Sequence, residues 1–527
     1  MAEKSLKPDL ISGFLVFLIA LPLCLGISMA SGVPPISGVL TAIVGGVVVS
    51  FLGSARLTIK GPAAGLIVIV LGAVTELGQG NLADGYHRAL AVGVVAGLVQ
   101  ILFALTRVGV VGSLMPTAVV HGMLAAIGVI IMSKQAHTVM GVTPASKEPL
   151  HLLAEIPHSL GALNPEVLVI GLVSLLILFG MPMLRSKLAR KIPAPMLVLA
   201  AAIPLGFFFD LDHQHLYKWW SHNYEVGPKY LIQLPASLLA SLAYPDFSMI
   251  GTWTSIKYII MYALVGSIES LLSVTAVDSL DPERRASDLN RDLLATGVGN
   301  TIAAAIGGLP MISEIVRSKA NIDNGAQSRW SNFFHGSLLL ASLLLIPGLL
   351  HHIPMAALAA MLIYTGTRLA SPKEFKHSYH IGPEQLLIFV TTMMVTLATD
   401  LLIGVGAGLL LKIALHVKNG APISSLFKSE IEESRNGGRW RLTVHDAAIF
   451  TNFLGLQRKL ANVPAGVERV EVDFANAAVV DHTVLHKLHA IADEWPVGRT
   501  LAIIGLENHD AMSAHQLASR RRREVPA

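Results

Sequence analysis

An acidic residue, Glu269, stands inside an apolar stretch that spans residues 258–277. A charged side chain is costly within a membrane helix, so it normally faces a water-filled cavity and has a function. Ser273 follows one helical turn later on the same face. The carboxylate can accept a proton, or its oxygens can hold a sodium ion together with the Ser273 hydroxyl and backbone carbonyl groups. These residues predict a site for a cation and leave proton and sodium as alternatives.

Two other apolar stretches are interrupted by glycine and proline. The first break is LTIKGPAAG at 57–65, and the second is GGLP at 307–310, before a predicted half-length helix at 310–320. The first N–H groups of a helix have no internal acceptor and lie at the positive end of the helix dipole, so such an end binds anions. Irregular backbone inside a membrane must line a cavity, and two breaks half a chain apart are typical of inverted repeats that meet at a substrate site.

Backbone N–H groups beside the two breaks are the predicted anion donors. We expect Ala63 and Ala64 to supply them at the first break, and Ser313 and Glu314 at the second, where the free donors are predicted to run from Met311 to Glu314. The hydroxyl of Ser313 is a candidate side-chain donor.

Three charged side chains lie near these breaks: Lys60, Glu314 and Arg317. If the repeats are superposed, Lys60 and Glu314 can form an ion pair across the site. We hypothesise that Glu314 repels sulfate while Lys60 restores the attraction for a monovalent anion. Alternatively, both point away from the cavity and Glu314 complements the dipole of its own helix. Arg317, one turn into the second half-helix, either adds positive potential to the site or is a structural arginine.

The composition places these breaks in a membrane. The chain has 527 residues, of which 53% are hydrophobic and 14% charged, and its mean hydropathy is +0.60. Soluble domains carry about 25% charged residues. About seven apolar segments precede a polar stretch at 210–252 and about seven follow it, which predicts a transmembrane domain at 1–420 with repeats at about 8–210 and 254–418. The net charge of +4 is too small to indicate nucleic-acid binding, and a single cysteine excludes an intramolecular disulfide and a cysteine metal cluster.

Basic residues are concentrated at alternate segment ends, which predicts that both termini are cytoplasmic. With Lys4 and Lys7 inside, the same side receives Arg56, Arg107, the cluster at 185–191, Arg284, Arg285, Arg317, Lys319, Arg329, Arg368, Lys373, Lys376, Lys412 and Lys418.

From about residue 430 the pattern becomes that of a soluble α/β domain. Segments 440–444, 470–474 and 500–504 are predicted strands, and 485–495 is a predicted helix. The domain is expected to span 430–519, followed by a solvated basic tail at 520–527 near the anionic inner leaflet.

Several motifs resemble one family of anion transporters. They are PLCLGISMASGVPPISG at 22–38, GSAR at 53–56, GPA at 61–63, GSIESLLS at 266–273, and Gly299, Asn300, Gly308, Pro310, Arg317 and Asn321 in the second break. This set resembles the sulfate permease (SulP) family. The segment VDFAN at 472–476 with VDHT at 480–483 is similar to the STAS domain that ends many members. Thr483 matches the position at which stand-alone STAS proteins carry a phosphorylated hydroxyl.

The resemblance covers nearly the whole chain and implies a polytopic α-helical fold of about 14 segments in a 7+7 inverted repeat, divided into core and gate domains, with a cytoplasmic STAS-like α/β domain. It also implies a homodimer, and an acidic residue at the position of Glu269 that serves the coupling cation. Ala63 departs from the pattern because it lacks a hydroxyl that some members carry. Lys60 and Glu314 depart as well, since most members have small residues there.

LPLCLG at 21–26 and PMISEIVRS at 310–318 resemble the branch found beside carbonic anhydrase. That branch implies bicarbonate as substrate and carbonic anhydrase as a partner. We therefore expect a secondary transporter of the bacterial inner membrane that takes up bicarbonate with sodium or protons. Proton-coupled sulfate or dicarboxylate symport and a channel-like anion conductor are the alternatives. No cofactor is expected apart from a sodium ion at Glu269, and no catalytic residues are expected because no nucleophile–base pair is visible.

Overall fold

A computed structural model describes residues 6–107, 115–146, 148–184, 192–219, 222–234, 239–493, 495 and 499–523. The chain divides into two compact units. The transport unit comprises Met1–Ser113 and Ile127–Leu369, and the C-terminal unit comprises Leu114–Ala126 and Ala370–Ala527. Lys4, the basic cluster at 185–191 and the last four residues of the predicted basic tail lie outside the described residues.

The transport unit is built mainly of helices. They are α1 Lys7–Ala30, α2 Ile36–Leu52, α3 Ala64–Gly78, α4 Leu82–Leu105, α5 Thr117–Val139 (its residues up to 126 belong to the C-terminal unit), α6 Pro149–Gly161, α7 Pro165–Gly180, α8 Ala194–Phe208, α9 Trp253–Leu280, α10 Leu289–Ala305, α11 Ile315–Asp323, α12 Trp330–Leu345, α13 Pro347–His351 and α14 Met355–Leu369. Its strands are β1 Ile59–Pro62, the hairpin β2 His215–Trp219 and β3 His222–Val226, and β4 Met311–Glu314.

Six of the described helices are long and apolar enough to cross a membrane, and five shorter apolar helices accompany them. Polar side chains cap several of these helices. The Asp288 carboxylate accepts the backbone N–H groups of Asn290 and Arg291 at the start of α10, and the Asn81 side chain accepts that of Ala83 at the start of α4. The expected polytopic helical membrane fold is confirmed.

Helices α4 and α10 approach each other closely through glycine. A Cβ added to Gly97 would lie 2.9 Å from the Gly297 carbonyl oxygen, and a Cβ added to Gly297 would lie 2.9 Å from the Gly97 carbonyl oxygen. Small residues permit this approach, which gives apolar helices their packing contacts within a membrane. The packing fixes α10, which carries part of the site described below.

The two interrupted segments meet as an antiparallel pair of strands. In β1 and β4, Lys60 lies opposite Ser313, and Ile59 lies opposite Glu314. The second half-helix therefore begins at Ile315, and the prediction that it begins at Pro310 is wrong.

Two of the backbone N–H groups that we predicted to be free at the start of a helix are hydrogen-bonded to other side chains. The Asn300 side chain accepts the N–H of Met311 at 2.6 Å, and the Ser270 hydroxyl accepts the N–H of Ser313 at 3.2 Å. These tertiary contacts stabilise extended backbone where local sequence favours a helix start.

The C-terminal unit combines helices with two four-stranded sheets. Its helices are α15 Pro372–Ile381, α16 Pro383–Ala398, α17 Leu401–Lys418, α18 Phe453–Ala461 and α19 His482–Asp493. Its strands are β5 Ile431–Asn436, β6 Arg439–Val444, β7 Asp446–Ala448, β8 Arg469–Asp473, β9 Ala477–Val480, β10 Thr500–Ile504, β11 His509–Ala511 and β12 Arg520–Arg522. The strand orders are β10-β8-β6-β5 and β11-β12-β9-β7.

The predicted strands at 440–444, 470–474 and 500–504 are confirmed as β6, β8 and β10. Arg520–Arg522 is a strand rather than a tail, although the side chains of Arg521 and Arg522 are exposed as expected. This run pairs antiparallel with β11 and β9, so its backbone groups find partners within the sheet. The α/β domain therefore extends to residue 522.

A buried ion pair connects α17 to the start of α19. The Lys412 ammonium lies 3.0 Å from the Asp481 carboxylate, and both side chains are fully buried. The same ammonium donates to the Thr483 hydroxyl at 2.7 Å. Thr483, the position matched to a phosphorylated hydroxyl, is thus itself buried in this arrangement. Burial alone would raise the pKa of Asp481, but the positive charges of Lys412 and His416 outweigh it and hold the pKa at about 2.

Asp481→Asn is expected to destabilise the C-terminal unit by about 3–5 kcal/mol, because it leaves the Lys412 ammonium buried without a counter-charge. The Asp481 pKa of about 2 lies below the value of about 3.9 for an unfolded chain, so the carboxylate stabilises the unit fully above that higher value. The contribution is lost as the pH falls through about 2. Thermal denaturation of the full chain in detergent at several pH values measures both effects. Asp510→Asn is the matched control, because its pair with Arg523 is exposed. Equal losses in the two variants would contradict the prediction.

Candidate anion-binding site

Lys60 of β1 points into the transport unit, where it is 2% exposed. Its ammonium forms an ion pair with the Asp292 carboxylate of α10, donates to the Ser313 hydroxyl at 2.5 Å, and lies 3.4 Å from the Thr296 hydroxyl. Lys60 therefore pairs with Asp292, and the hypothesis of a Lys60–Glu314 pair is wrong. Side chains alternate between the two faces of a strand, so Lys60 shares a face with its cross-strand partner Ser313 rather than with Glu314.

Asp292 is not among the site residues predicted from the sequence. Its side chain is buried, and its second carboxylate oxygen accepts the backbone N–H of Ala55 at 3.3 Å. The sequence signal that identifies it is an acidic residue at the start of an apolar segment, the same kind of signal that singles out Glu269.

Glu314 lies on the opposite face of β4, where its half-buried carboxylate is close to the backbone N–H of Ala64 and to Arg317. Ala64 begins the first half-helix, so the Glu314 carboxylate complements the positive end of that helix. Glu314 also directly precedes its own helix, α11, although its side chain makes no capping hydrogen bond there. Ala63 precedes it and is buried.

Arg317 is the largest fully buried side chain of the site, with 1% exposure. One terminal nitrogen donates to the Cys24 thiol at 3.5 Å and the other to the Pro62 carbonyl at 3.5 Å. Among the described residues, Nε has no hydrogen-bond partner, and no carboxylate lies within 4 Å of the guanidinium. The absence of a side chain at Gly61 makes room for it, since a Cβ there would lie 2.6 Å from Nη1. The guanidinium is therefore a buried positive charge with unused donor capacity.

Glu269 lies on α9 with 7% exposure, and its carboxylate rests against Gly65 at the start of the first half-helix. Its Oε1 is buried without a hydrogen-bond partner in the described part of the chain. The adjacent Ser270 hydroxyl contacts both the N–H and the hydroxyl of Ser313, at 3.2 and 3.3 Å. Ser273 is buried one turn further along α9 and makes no hydrogen bond to these residues in the ranges that the structure describes.

His335 of α12 is a second residue that the sequence did not single out. It is fully buried, and neither ring nitrogen has a hydrogen-bond partner within the described ranges. Its ring lies within electrostatic range of Arg317. A histidine inside an apolar helix is again the signal that finds it.

The pairing of β1 with β4, called the strand crossing below, thus brings together most of the predicted site residues. Lys60, Ser313, Arg317, Glu314 and Glu269 surround β1 and β4 with the two half-helix starts. With Asp292, this buried region holds three carboxylates, one ammonium and one guanidinium. The unused Arg317 donor can bind a small anion, and the Glu269 carboxylate can bind a cation beside it.

Comparison with known proteins identifies relatives of this arrangement. Residues 6–392 match the model of the sulfate permease family. A putative sulfate transporter of Bacillus subtilis, YvdB, is 27% identical over 429 residues, which cover 81% of this chain and 76% of the relative. The bicarbonate transporter BicA of Picosynechococcus is 23% identical over 424 residues, covering 80% of this chain and 72% of the relative.

Solved structures show the same fold. The transmembrane domain of a cyanobacterial bicarbonate transporter BicA matches with a TM-score of 0.63 and 23% identity, covering 77% of this chain and 97% of that structure. The structure of SLC26A9 matches with a TM-score of 0.68 and 15% identity, covering 95% of this chain and 85% of that structure. The family match spans well over half of the chain, so the protein is a multi-pass membrane transporter of anions that belongs to the sulfate permease family.

Proposed function

We propose that this protein takes up bicarbonate by alternating access, driven by a gradient of protons or sodium. The observation that carries the proposal is the buried Arg317 guanidinium, which has an unpaired Nε and no carboxylate within 4 Å among the described residues. Glu314 offsets the Arg317 charge without contacting the guanidinium, so the Nε donor stays unused among the described residues. A buried donor without an acceptor costs free energy, and a bound anion supplies the acceptor.

The charges around the strand crossing support coupling to a cation. Among the described residues, Lys60 and Asp292 cancel as an ion pair, and the charges of Arg317 and Glu314 oppose each other. The remaining charge of the site is that of the Glu269 carboxylate. If its carboxylate is charged, the site is net negative and repels an anion, whereas a bound proton or sodium makes the site neutral. Anion binding and cation binding are therefore linked at Glu269.

For sodium, the oxygens available near Glu269 are the hydroxyls of Ser270 and Ser273 and backbone carbonyl groups. For a proton, the buried and unpartnered Oε1 is sufficient. Both coupling ions remain compatible with these residues, and each predicts a different gradient dependence.

Bicarbonate is favoured because a neutral site holding one guanidinium suits a monovalent anion, and because a relative that matches over 424 residues is named a bicarbonate transporter. Sulfate symport is the second candidate, supported by the relative named a putative sulfate transporter. We place the protein in the bacterial inner membrane with cytoplasmic termini, on the distribution of Lys and Arg in the sequence.

Uptake into proteoliposomes tests the proposal. Labelled bicarbonate and labelled sulfate are supplied separately at alkaline pH, which keeps dissolved carbon dioxide low, with a sodium or a proton gradient imposed alone. We expect bicarbonate accumulation under one gradient and none after an ionophore collapses it; protein-free liposomes are the control. Accumulation of sulfate without bicarbonate would overturn the substrate assignment, and equal uptake with and without gradients would overturn the coupling.

A further inference from the structure

The Lys60–Asp292 pair lies on the face of the β1–β4 strand pair opposite Glu314 and is buried within the transport unit. Its side chains are 3% and 1% exposed, and it joins β1 to α10. Lys60 also donates to the Ser313 hydroxyl at 2.5 Å. Its ammonium therefore contacts β4, the strand that precedes the second half-helix. Lys60 is therefore close enough to act on an anion held at the strand crossing, unless Asp292 neutralises it.

Structural needs alone do not require charges at this position. A buried ion pair is often no more stabilising than apolar residues of similar volume. The hydroxyls of Ser313 and Thr296 and the backbone N–H of Ala55 surround the pair, so the region is polar. The pair therefore has an electrostatic consequence that an apolar pair would lack: removing either partner changes the net charge beside the substrate by one unit.

We propose that Asp292 is a specificity-determining residue, which neutralises Lys60 and thereby lowers the preference of the site for divalent over monovalent anions. This inference rests on the proposed function only in taking the strand crossing as the anion site. It replaces the hypothesis that Glu314 repels sulfate while Lys60 restores the attraction for a monovalent anion. Arg317 attracts the anion, and Glu314 offsets part of that attraction. Asp292 neutralises Lys60, the second positive charge that would stabilise a dianion.

Asp292→Asn tests this inference because it leaves the Lys60 charge uncompensated. The extra charge acts once on a monovalent anion and twice on a dianion. We expect the preference for sulfate over nitrate to rise by at least about tenfold, the effect of one unit charge about 10 Å away at an effective dielectric constant of about 20. Lys60→Met leaves Asp292 uncompensated and should shift the preference in the opposite direction. The readout is inhibition of labelled-anion exchange in proteoliposomes by sulfate and by nitrate.

The double variant Lys60→Met/Asp292→Leu is the matched control, since it removes both charges and should restore the wild-type ratio. If Asp292→Asn does not fold, Lys60→Met still tests the inference from the other side. Unchanged ratios in folded single variants, or shifts of the same sign in both, would overturn it. Wild-type exchange of sulfate without bicarbonate would count against the proposed function alone, because the ratios of variant to wild type still test Asp292.

Discussion

Glu269→Gln is expected to abolish gradient-driven accumulation while preserving exchange of labelled anion across the membrane. Glutamine has nearly the same shape as protonated glutamic acid and carries no charge, so the site stays neutral and the anion still binds. The side chain can no longer take up and release a proton, and it loses the charged oxygens that would hold sodium. Anion movement is thereby uncoupled from the cation gradient.

Two measurements on the same proteoliposomes separate these effects. Accumulation under an imposed gradient should fall to the level seen without one, while counterflow with unlabelled anion inside should persist. Glu166→Gln is the matched control, because Glu166 is a carboxylate near the start of α7 with an unpartnered buried oxygen of its own and lies outside the site. Continued accumulation by Glu269→Gln would rule out Glu269 as the coupling residue.

Arg317→Gln is expected to weaken anion binding by about tenfold to hundredfold, because a hydrogen bond to a charged group contributes about 1.5–3 kcal/mol. The loss should appear in KM for the anion. Arg317→Lys should recover only part of the affinity, since an ammonium has the charge but not the planar fork of donors.

A second variant changes the position of the guanidinium without changing its charge. In Gly61→Ala the new Cβ would meet Nη1 of Arg317 at 2.6 Å, so the guanidinium must move. We expect an intermediate rise in KM. Arg368→Gln, at the exposed end of α14, is the control. An unchanged KM in folded Arg317→Gln would remove the observation on which the proposed function depends.

The sequence by itself determined the class of protein and much of the site. Long apolar segments indicate membrane helices, because apolar side chains favour the hydrocarbon core and a helix satisfies its own backbone hydrogen bonds there. The two breaks were recognisable from glycine and proline, and Glu269 from a carboxylate in an apolar segment. These are local signals, and the structure brings both breaks and Glu269 together.

Only the tertiary structure decided which charges meet. Lys60 and Asp292 are 232 residues apart, and no local pattern links them. Lys60 has its partner because β1 and β4 pair in the register that places it opposite Ser313. A shift of one residue would move its side chain to the other face, toward the side that Glu314 occupies. The start of the second half-helix depended in the same way on Asn300 and Ser270, which take the N–H groups of β4. Pairings between distant segments are set by packing of the whole fold, and that packing determines the charge beside the substrate.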